Sequence, residues 1–273
     1  MPRLTLATVP AARRKQLNGG IAETAHLLEW LSVDMGALLV ATAPQLRLRS
    51  PIPDEITSEA FRGVGVTKRL ARIGLYLRST GVAPGTTLFR RVAGHDSDVV
   101  RQWAAYALMA DTSLSLHERL QLTHTFAADR NMSVREVAWM TFRPYVAKEV
   151  LEALAQLRPL TVDRDPNVRR FAIEVTRPRS VWGEHLRSLK AEPEQARELL
   201  DATKADRSKY VQNAVANWLN DASKTRPDWV LGLAATWMSS PSIDAATRRI
   251  LIRGVRTLRR ADQLPRHVAS SLF

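Results

Sequence analysis

The stretch that decides the fold is DRDPNVRRFAIEVTRPRSVW, which spans residues 163–182. Asp165 followed by Pro166 is a typical helix start, because aspartate caps the first turn and proline fits its first position. The apolar residues that follow recur at helical spacing. They are Val168, Phe171, Ala172 and Val175. We expect the helix to end at Arg177-Pro178, since proline cannot continue the hydrogen bonds of a helix.

The second half of the chain repeats this pattern. An Asp-Arg pair stands five residues before the valine that begins an amphipathic helix, at Val134, Val168 and Val211. Val100 begins a weaker copy, and Thr247 is a late candidate. The successive valines are 34, 34 and 43 residues apart. One further helix is predicted between copies, over residues 115–128, 147–157, 194–204 and 229–238.

Two helices in every repeat of about 35–45 residues are typical of HEAT-like repeats. Such helix pairs cannot bury their apolar faces alone, so they stack and the stack curves. No segment alternates polar and apolar residues, so we expect no sheet. The predicted fold is all-α, a HEAT-like helical repeat solenoid with a concave basic face. We expect a single α-solenoid domain over residues 1–273, with N-terminal helices in residues 1–90 and HEAT-like repeats in residues 91–273.

The N-terminal third is less regular. One long helix is predicted over residues 21–41, and an irregular segment with several prolines over residues 44–54. A further amphipathic helix is predicted from Val66. Capping boxes, in which a serine precedes a glutamate by three residues, are predicted at Ser115-Glu118 and Ser133-Glu136.

The composition favours a polyanionic partner. The net charge is +13, and much of the basic excess is arginine, whose planar fork of donors suits phosphate. The absence of cysteine excludes a disulfide framework, a Cys-ligated zinc site, an iron–sulfur cluster and a cysteine nucleophile. The histidines are scattered, so no metal site is expected. Because no signal peptide and no run of roughly 20 apolar residues is present, we expect a cytoplasmic, nucleoid-associated protein.

Three repeat helices carry a polar face beside the apolar stripe. The helices begin at Val134, Val168 and Val211. In that order, the polar residues are Glu136, Trp139 and Arg143; Arg170, Glu174 and Arg177; and Asn213, Asn217 and Asn220. If these helices are adjacent, their polar faces form one surface of arginines, amides, an aromatic ring and carboxylates.

Phosphate binding explains the arginines and amides of this surface but not its carboxylates, because a carboxylate repels DNA. One explanation is structural: Glu174 pairs with Arg170 one turn away, and Glu136 caps its helix. The other is that a carboxylate stabilises positive charge during a reaction at a sugar or a base. Trp139 on the polar face and Trp182 after a Pro-Arg turn are expected to be exposed and to stack on a base.

At these residues the sequence resembles the AlkC/AlkD superfamily of bacterial alkylpurine DNA glycosylases, which are built from HEAT-like repeats. The likeness is clearest over residues 168–182 and 211–230, and it also touches REVAWMTFRPYV at residues 135–146. It covers the last two thirds of the chain well. No single motif is highly specific, but several in the right order are fairly specific.

The resemblance implies an enzyme that removes purines alkylated at N3 or N7, without a metal or cofactor. Its partner would be double-stranded DNA containing alkylated bases, and it would act as a monomer away from membranes. By resemblance, Glu174 is a catalytic acid that stabilises the sugar cation and orients water, and Trp182 packs against the lesion nucleotide. Glu136 and Trp139 are the other catalytic candidates. Candidates for DNA contacts are Arg143, Arg170, Arg177, Arg179, Lys209, Asn213, Asn217 and Lys224.

One position departs from the AlkC pattern. In that branch an acid precedes the first Arg-Pro by one helical turn, whereas this chain has Trp139 there and its nearest acid is Glu136. The AlkD branch combines aromatics with an acid, so Trp139 substitutes in kind, or it marks altered specificity or a non-catalytic member. The leading hypothesis is a monofunctional glycosylase for cationic alkylpurines. The alternatives are a repeat protein that binds damaged or branched DNA without chemistry, and a protein-interaction scaffold.

Overall fold

The computed structural model describes residues 8–239 and 243–272, and over these ranges it is built of helices with no β-strand. The predicted all-α fold is confirmed. Contacts divide the chain into two compact units, one that ends at Thr141 and one that begins at Phe142. This boundary falls inside the predicted repeats, and the predicted division at residue 90 stays a prediction.

The first unit contains the N-terminal helices and the first repeat helices. They are α1 (Ala11–Asn18), α2 (Leu27–Ser32), α3 (Met35–Leu46), a 3-10 helix (Asp54–Ile56), α4 (Val66–Ser79), α5 (Thr87–Ala93), α6 (Asp98–Met109) and α7 (Leu116–Ala127), and α8 (Met132–Lys148) continues into the second unit. Helix α4 packs closely on α6, because Gly74 lies where an added Cβ would collide with Tyr106.

The second unit continues the repeats. Its helices are α9 (Val150–Leu157), a 3-10 helix (Arg158–Val162), α10 (Pro166–Glu174), α11 (Arg187–Ala191), a 3-10 helix (Pro193–Ala196), α12 (Arg197–Thr203), α13 (Lys209–Ala222), α14 (Pro227–Met238), α15 (Ala245–Gly254), α16 (Arg256–Arg260) and α17 (Arg266–Leu272). The predicted repeat helices are confirmed as α6, α8, α10, α13 and α15, and the helices predicted between them as α7, α9, α12 and α14.

The recurring Asp-Arg pair has a structural explanation, which Arg101 shows in the first unit. Arg101 forms two hydrogen bonds with the Asp129 carboxylate, at 2.8 and 2.9 Å. It also donates to the backbone carbonyls of His95 and Asp96, which precede its own helix. A bidentate pair of this kind fixes geometry as well as adding stability. Arg101 therefore ties the start of its own repeat to the aspartate of the next.

Arg169 repeats this arrangement in the second unit. It donates to both oxygens of Asp206, at 2.6 and 3.0 Å, and to the carbonyls of Asp163 and Arg164. At the corresponding place in the next repeat, Gln212 donates to the carbonyl of Asp206 at 2.7 Å. Asp129 and Asp206, each five residues before a repeat valine, therefore join neighbouring repeats.

The long N-terminal helix predicted over residues 21–41 is wrong, because it is broken at Val33-Asp34 between α2 and α3. The carboxylate of Asp34 accepts a hydrogen bond from the backbone N–H of Ala37 at 3.0 Å. An aspartate that caps a helix stops the preceding helix from running through it. The irregular segment also begins later than predicted, since α3 continues through Pro44.

Only one of the two predicted capping boxes is present. The box at Ser115-Glu118 forms, with both of its reciprocal hydrogen bonds. Ser133 instead lies inside α8, and the side chain of Asn131 accepts from its backbone N–H at 2.8 Å. The Ser133 hydroxyl donates to Asp98 and accepts from Gln102, both in α6. The Ser133 hydroxyl, which the sequence pattern predicted to cap α8, therefore forms hydrogen bonds with α6 instead.

The two Arg-Pro dipeptides do not end their helices in the same way. Helix α8 continues past Arg143-Pro144 to Lys148, contrary to the prediction. Phe142 and Val146 on either side are both fully buried, and their packing supports the extra turn although proline removes one hydrogen bond. Helix α10 ends at Glu174, shortly before the second Arg-Pro, as expected.

Candidate active site

Two nearly buried carboxylates share one arginine in the second unit. Glu174 is the last residue of α10, and its side chain is 5% exposed. Arg177 donates from Nη1 to its Oε1 at 2.5 Å, and Arg170 Nη2 lies 3.5 Å from Oε2. Asp221 of α13 accepts from Nε and Nη2 of Arg177, at 2.9 and 2.7 Å. We call these residues, together with Lys224, the Glu174 cluster.

The charges of the Glu174 cluster depend on one another. Burial lowers the pKa of Arg177, but the neighbouring carboxylates of Glu174 and Asp221 outweigh burial and raise this pKa above its usual value. Lys224 is exposed and lies 3.4 Å from the second oxygen of Asp221. Since three cations face two carboxylates, the cluster retains a positive charge that suits a phosphate.

Sequence reasoning misses two members of this region, Asp221 and Tyr210. A signal for Asp221 was present, because it follows Asn213 and Asn217 at successive intervals of four residues on one helix face. No pattern pointed to Tyr210, whose ring lies 4.4 Å from the Arg170 guanidinium. This cation–π contact helps to fix the arginine beside Glu174.

The predicted amides of α13 are oriented by arginines of the following helices. The side-chain oxygen of Asn213 accepts from Arg249 at 2.8 Å, and that of Asn217 accepts from Arg256 at 3.0 Å. Because the oxygen of each amide is engaged, its NH2 group is the part left to donate to a ligand. Lys209, at the start of the same helix, is exposed. This face therefore presents donors, as phosphate binding requires.

A loop from Pro178 to Leu186, which we call the tryptophan loop, follows the Glu174 cluster in sequence. Its neck is closed by the backbone N–H of Leu186, which donates to the carbonyl of Pro178 at 3.1 Å. Within it, the Ser180 hydroxyl accepts from the backbone N–H groups of Trp182 and Gly183, at 3.2 and 3.1 Å. The Trp182 side chain is 41% exposed, so its predicted exposure is confirmed.

The surroundings of the tryptophan loop are basic. The pKa of His185 is lowered by partial burial and by the positive charges of Lys190, Arg179 and Arg143. Val181, at the tip, is 89% exposed. An exposed aromatic and an exposed aliphatic side chain in a positive field suit contact with a nucleic acid. The predicted phosphate contact of Arg179 stays a prediction.

The phosphate contact predicted for Arg143 is wrong. Arg143 is 1% exposed, and all three of its nitrogens donate to backbone carbonyls. Nη1 contacts Val175 at 2.9 Å, Nη2 contacts Arg177 at 2.7 Å and Nε contacts Glu184 at 2.8 Å. Burial, together with the charge of Arg177, lowers the Arg143 pKa to about 10. Such an enclosed guanidinium cannot reach a phosphate.

The predicted exposure of Trp139 is also wrong. Its side chain is only 4% exposed, and its indole N–H donates to Oε2 of Glu136 at 2.9 Å. In the 34-residue register Trp139 corresponds to Ile173, which is fully buried. A ring in this core position cannot stack on a base. The cap predicted for Glu136 is likewise absent, and this pair lies in the first unit.

The second unit brings together the predicted residues Glu174, Arg170, Arg177 and Lys224. Over residues 8–239 and 243–272, no helix is long and apolar enough to cross a membrane. Over the same ranges, no three histidine, aspartate or glutamate side chains are placed to hold a metal ion. The groups that this unit brings together are two carboxylates, two guanidinium groups and an ammonium group.

The sequence of this chain matches one family profile and one individual protein. The sequence profile of the DNA alkylation repair enzyme family matches residues 95–249, more than half of the chain. YhaZ, an uncharacterized protein of Bacillus subtilis (strain 168), is 37% identical over 95 residues, which are 35% of this chain. The match spans only 27% of the length of YhaZ.

Three solved structures share the fold. AlkC from Pseudomonas fluorescens, an alkylpurine DNA glycosylase bound to DNA containing an abasic site analog, matches 94% of this chain and 65% of its own, with a TM-score of 0.67 and 22% identity. The structure of smu.31 from Streptococcus mutans UA159 matches 70% of this chain and 92% of its own, with a TM-score of 0.54 and 22% identity. The structure of AlkD2 from Streptococcus mutans matches 81% of this chain and 98% of its own, with a TM-score of 0.50 and 19% identity.

These structural matches agree with a HEAT-like helical repeat fold, as predicted. At 19–22% identity they show the fold alone. The profile match goes further, because it covers more than half of the sequence. The chain belongs to the DNA alkylation repair enzyme family.

Proposed function

We propose that this protein is a monofunctional DNA glycosylase that hydrolyses the N-glycosidic bond of cationic N3- or N7-alkylated purines. The observation that carries the proposal is the nearly buried carboxylate of Glu174, held between two arginines in a chain of net charge +13. A carboxylate repels the phosphates that these arginines would bind. Membership of the family, and the fold shared with the alkylpurine DNA glycosylase AlkC, support the same reaction.

The reaction needs a stabilised sugar cation and a positioned water. The alkylated purine carries a positive charge, so it leaves as a neutral base when the C1′–N bond breaks and the electron pair stays with the base. Positive charge then develops on the deoxyribose, where the carboxylate of Glu174 would stabilise it. Water adds to C1′ and gives its proton to Glu174 or to solvent, leaving an abasic site. Asp221 adds a second negative charge through Arg177.

Arg170 and Arg177 would each have two roles in this reaction. They hold the oxygens of Glu174 in place, and they present positive charge to the phosphates that flank the lesion. The contact between Arg170 and Tyr210 keeps the first of them in position. Further donors for the sugar–phosphate backbone would come from Arg179, Lys209, Asn213, Asn217 and Lys224.

Trp182 would contact the lesion nucleotide through the face of its indole ring. Its exposure supports this role, because stacking on a base requires an accessible ring. A cationic base adds an electrostatic attraction to the ring face. Trp139 does not share this role in the proposal, since its ring is buried.

One observation favours a second function, DNA binding without chemistry. Both oxygens of Glu174 are already bound by arginines, so the acid could serve only to hold Arg170 and Arg177 for phosphate contacts. Trp139 also stands where an acid is expected from the AlkC pattern. Under this alternative the protein would bind damaged or branched DNA with strong salt dependence and release no base.

A base-release assay tests the proposal. Methylated double-stranded DNA is incubated with the protein in the presence of EDTA, because the proposed reaction uses no metal or cofactor, and released 7-methylguanine and 3-methyladenine are measured. We expect release by the wild type and a loss of at least about 100-fold in Glu174→Gln, as for removal of a charge-stabilising group.

Glu198→Gln is the matched control, since it removes an exposed carboxylate of the same unit that pairs with the exposed Arg158. It should release base at nearly the wild-type rate, and circular dichroism should show both variants folded. A folded wild-type protein that binds DNA but releases neither base contradicts the proposal and supports the second function.

A further inference from the structure

We propose that Arg143 is a positioning residue that clamps both ends of the tryptophan loop and thereby aims Trp182 at the lesion. The catalytic part of this inference rests on the proposed glycosylase function. The clamp itself rests on hydrogen bonds and burial, and it is tested separately below.

The three contacts of Arg143 lie on both sides of the loop. Two of them reach the carbonyls of Val175 and Arg177, just before the loop begins, and the third reaches Glu184, near its end. All three distances are between 2.7 and 2.9 Å. A planar guanidinium has the fork of donors needed to join three acceptors at once, and a lysine ammonium does not match this geometry.

Arg143 is held by backbone dipoles, with no ion pair to a carboxylate among the described residues. It is 1% exposed, and removing a cation from water in this way is unfavourable unless its donors are satisfied. The acids Glu174, Glu184 and Asp221 favour its charge only from a distance. A buried arginine that joins the residues just before a loop to a residue near its end fixes the two ends of that loop relative to each other.

The loop places its tip beside Arg143. This tip is solvent-exposed, with Val181 at 89% and Trp182 at 41%. Gly183 lies close to the Arg143 side chain, where an added Cβ would be 3.4 Å from Cδ. The neck contact between Leu186 and Pro178 closes the loop behind this tip. Arg143 therefore lies against the residue next to Trp182 and joins the two ends of the loop.

The decisive variant is Arg143→Lys, which keeps the charge and loses the fork. Hydrogen exchange measured on the whole protein should show faster exchange of the amides of residues 179–185, with the repeat helices unchanged. Base release from methylated DNA under single-turnover conditions, at saturating DNA, should slow by about 10- to 100-fold, as expected when a reacting group is misplaced by about 1 Å. The Kd for the same DNA should change by less than about threefold.

Arg158→Lys is the matched control, because Arg158 is an exposed arginine of the same unit that pairs with Glu198. It should leave exchange, release and affinity unchanged. If Arg143→Lys does not fold, Arg143→Met fills the same buried volume without charge and is measured in the same way.

The outcomes separate the clamp from the proposed function. Unchanged exchange in the loop, or an increase spread evenly over the second unit, overturns the clamp. Faster exchange in the loop with an unchanged release rate overturns its role in aiming Trp182. If the wild type releases no base, the glycosylase proposal fails, while the exchange experiment still decides whether Arg143 holds the loop.

Discussion

Arg143-Pro144 and Arg177-Pro178 are the same dipeptide, placed 34 residues apart in neighbouring repeats, yet their structural roles differ. The first proline lies inside α8, whereas the second begins the tryptophan loop. The first arginine is enclosed and donates to backbone carbonyls, whereas the second bridges two carboxylates. The repeat sets the position of a residue in the fold, and the segment that packs against it sets what the residue does.

The residues after each proline account for the different backbone. Pro144 is followed by Tyr145 and the fully buried Val146, so one more helical turn places an apolar side chain in the core. Pro178 is followed by RSVWG, in which a serine and a glycine favour a turn. The same dipeptide is therefore compatible with a continuing helix in one repeat and a loop in the next.

The largest expected difference in stability is between variants of Trp139 and Trp182, the two tryptophans that belong to these repeats. Trp139→Ala should lower the free energy of unfolding by about 3–5 kcal/mol, because it removes a buried ring and leaves a cavity. Trp182→Ala should lower it by less than about 1 kcal/mol, since the ring is largely at the surface. Urea denaturation followed by circular dichroism measures both values.

Base release should show the opposite order for the same pair. Trp182→Ala should reduce release by about 10-fold or more, in line with the loss of one aromatic–base stacking contact. Trp139→Ala should affect release only in proportion to the fraction unfolded. Equal losses of stability in the two variants would contradict the distinction between a core ring and an exposed one.

The next effect concerns the arginine that bridges two acids. Arg177→Gln should lower the free energy of unfolding by about 2–3 kcal/mol, because it leaves the carboxylates of Glu174 and Asp221 nearly buried with less positive charge beside them. This is below the value for a fully buried pair, since the Arg177 side chain is 22% exposed. Adding Asp221→Asn should restore part of the loss.

Arg143 provides the comparison for that double variant. Arg143→Gln should not be rescued by Asp221→Asn, because Arg143 donates to carbonyls rather than to that carboxylate. A double-mutant cycle in urea gives both coupling energies. Similar rescue of the two arginines would show that charge, and not the identity of the acceptors, governs both sites.

The smallest effect separates the two prolines. Pro144→Ala should raise the free energy of unfolding by about 1 kcal/mol, because alanine restores a backbone hydrogen bond within α8 and Pro144 is exposed. Pro178→Ala should lower it by about 0.5–1 kcal/mol, because the unfolded chain gains freedom while the loop gains no hydrogen bond. Thermal unfolding of both variants measures whether stability rises or falls in each. A change in the same direction in both variants would contradict the distinction between the two prolines.

The repeat helices could be predicted from the sequence because their apolar stripes are dictated by helical geometry. Val134, Val168 and Val211 are all fully buried, each at the same point of its helix. The positions at which helices begin and end are harder to predict, because they depend on side chains that meet only after folding. The Ser133 hydroxyl, for example, forms hydrogen bonds with two residues of α6, which lie 31 and 35 residues earlier in the chain.

The candidate site could be predicted in part for the same reason. Glu174 and Arg177 lie within one helical turn, so local spacing places them together. Trp139 was assigned to the polar face together with Glu136 and Arg143, although the 34-residue register places it with the buried Ile173. Arg143 could not be assigned from spacing, because its three acceptors lie 32–41 residues further along the chain.

The tryptophan loop also shows that the repeats accommodate a longer connection. Val168 and Val211 are 43 residues apart and Val134 and Val168 are 34, nine more in the repeat that contains this loop. Arg169 nevertheless forms its bidentate contact with Asp206 across the longer repeat. The entropic cost of closing a loop rises only slowly with its length. Insertions in repeat proteins are found mainly in loops on one face. Nine additional residues within one repeat thus place an indole at the surface while the contact between neighbouring repeats is kept.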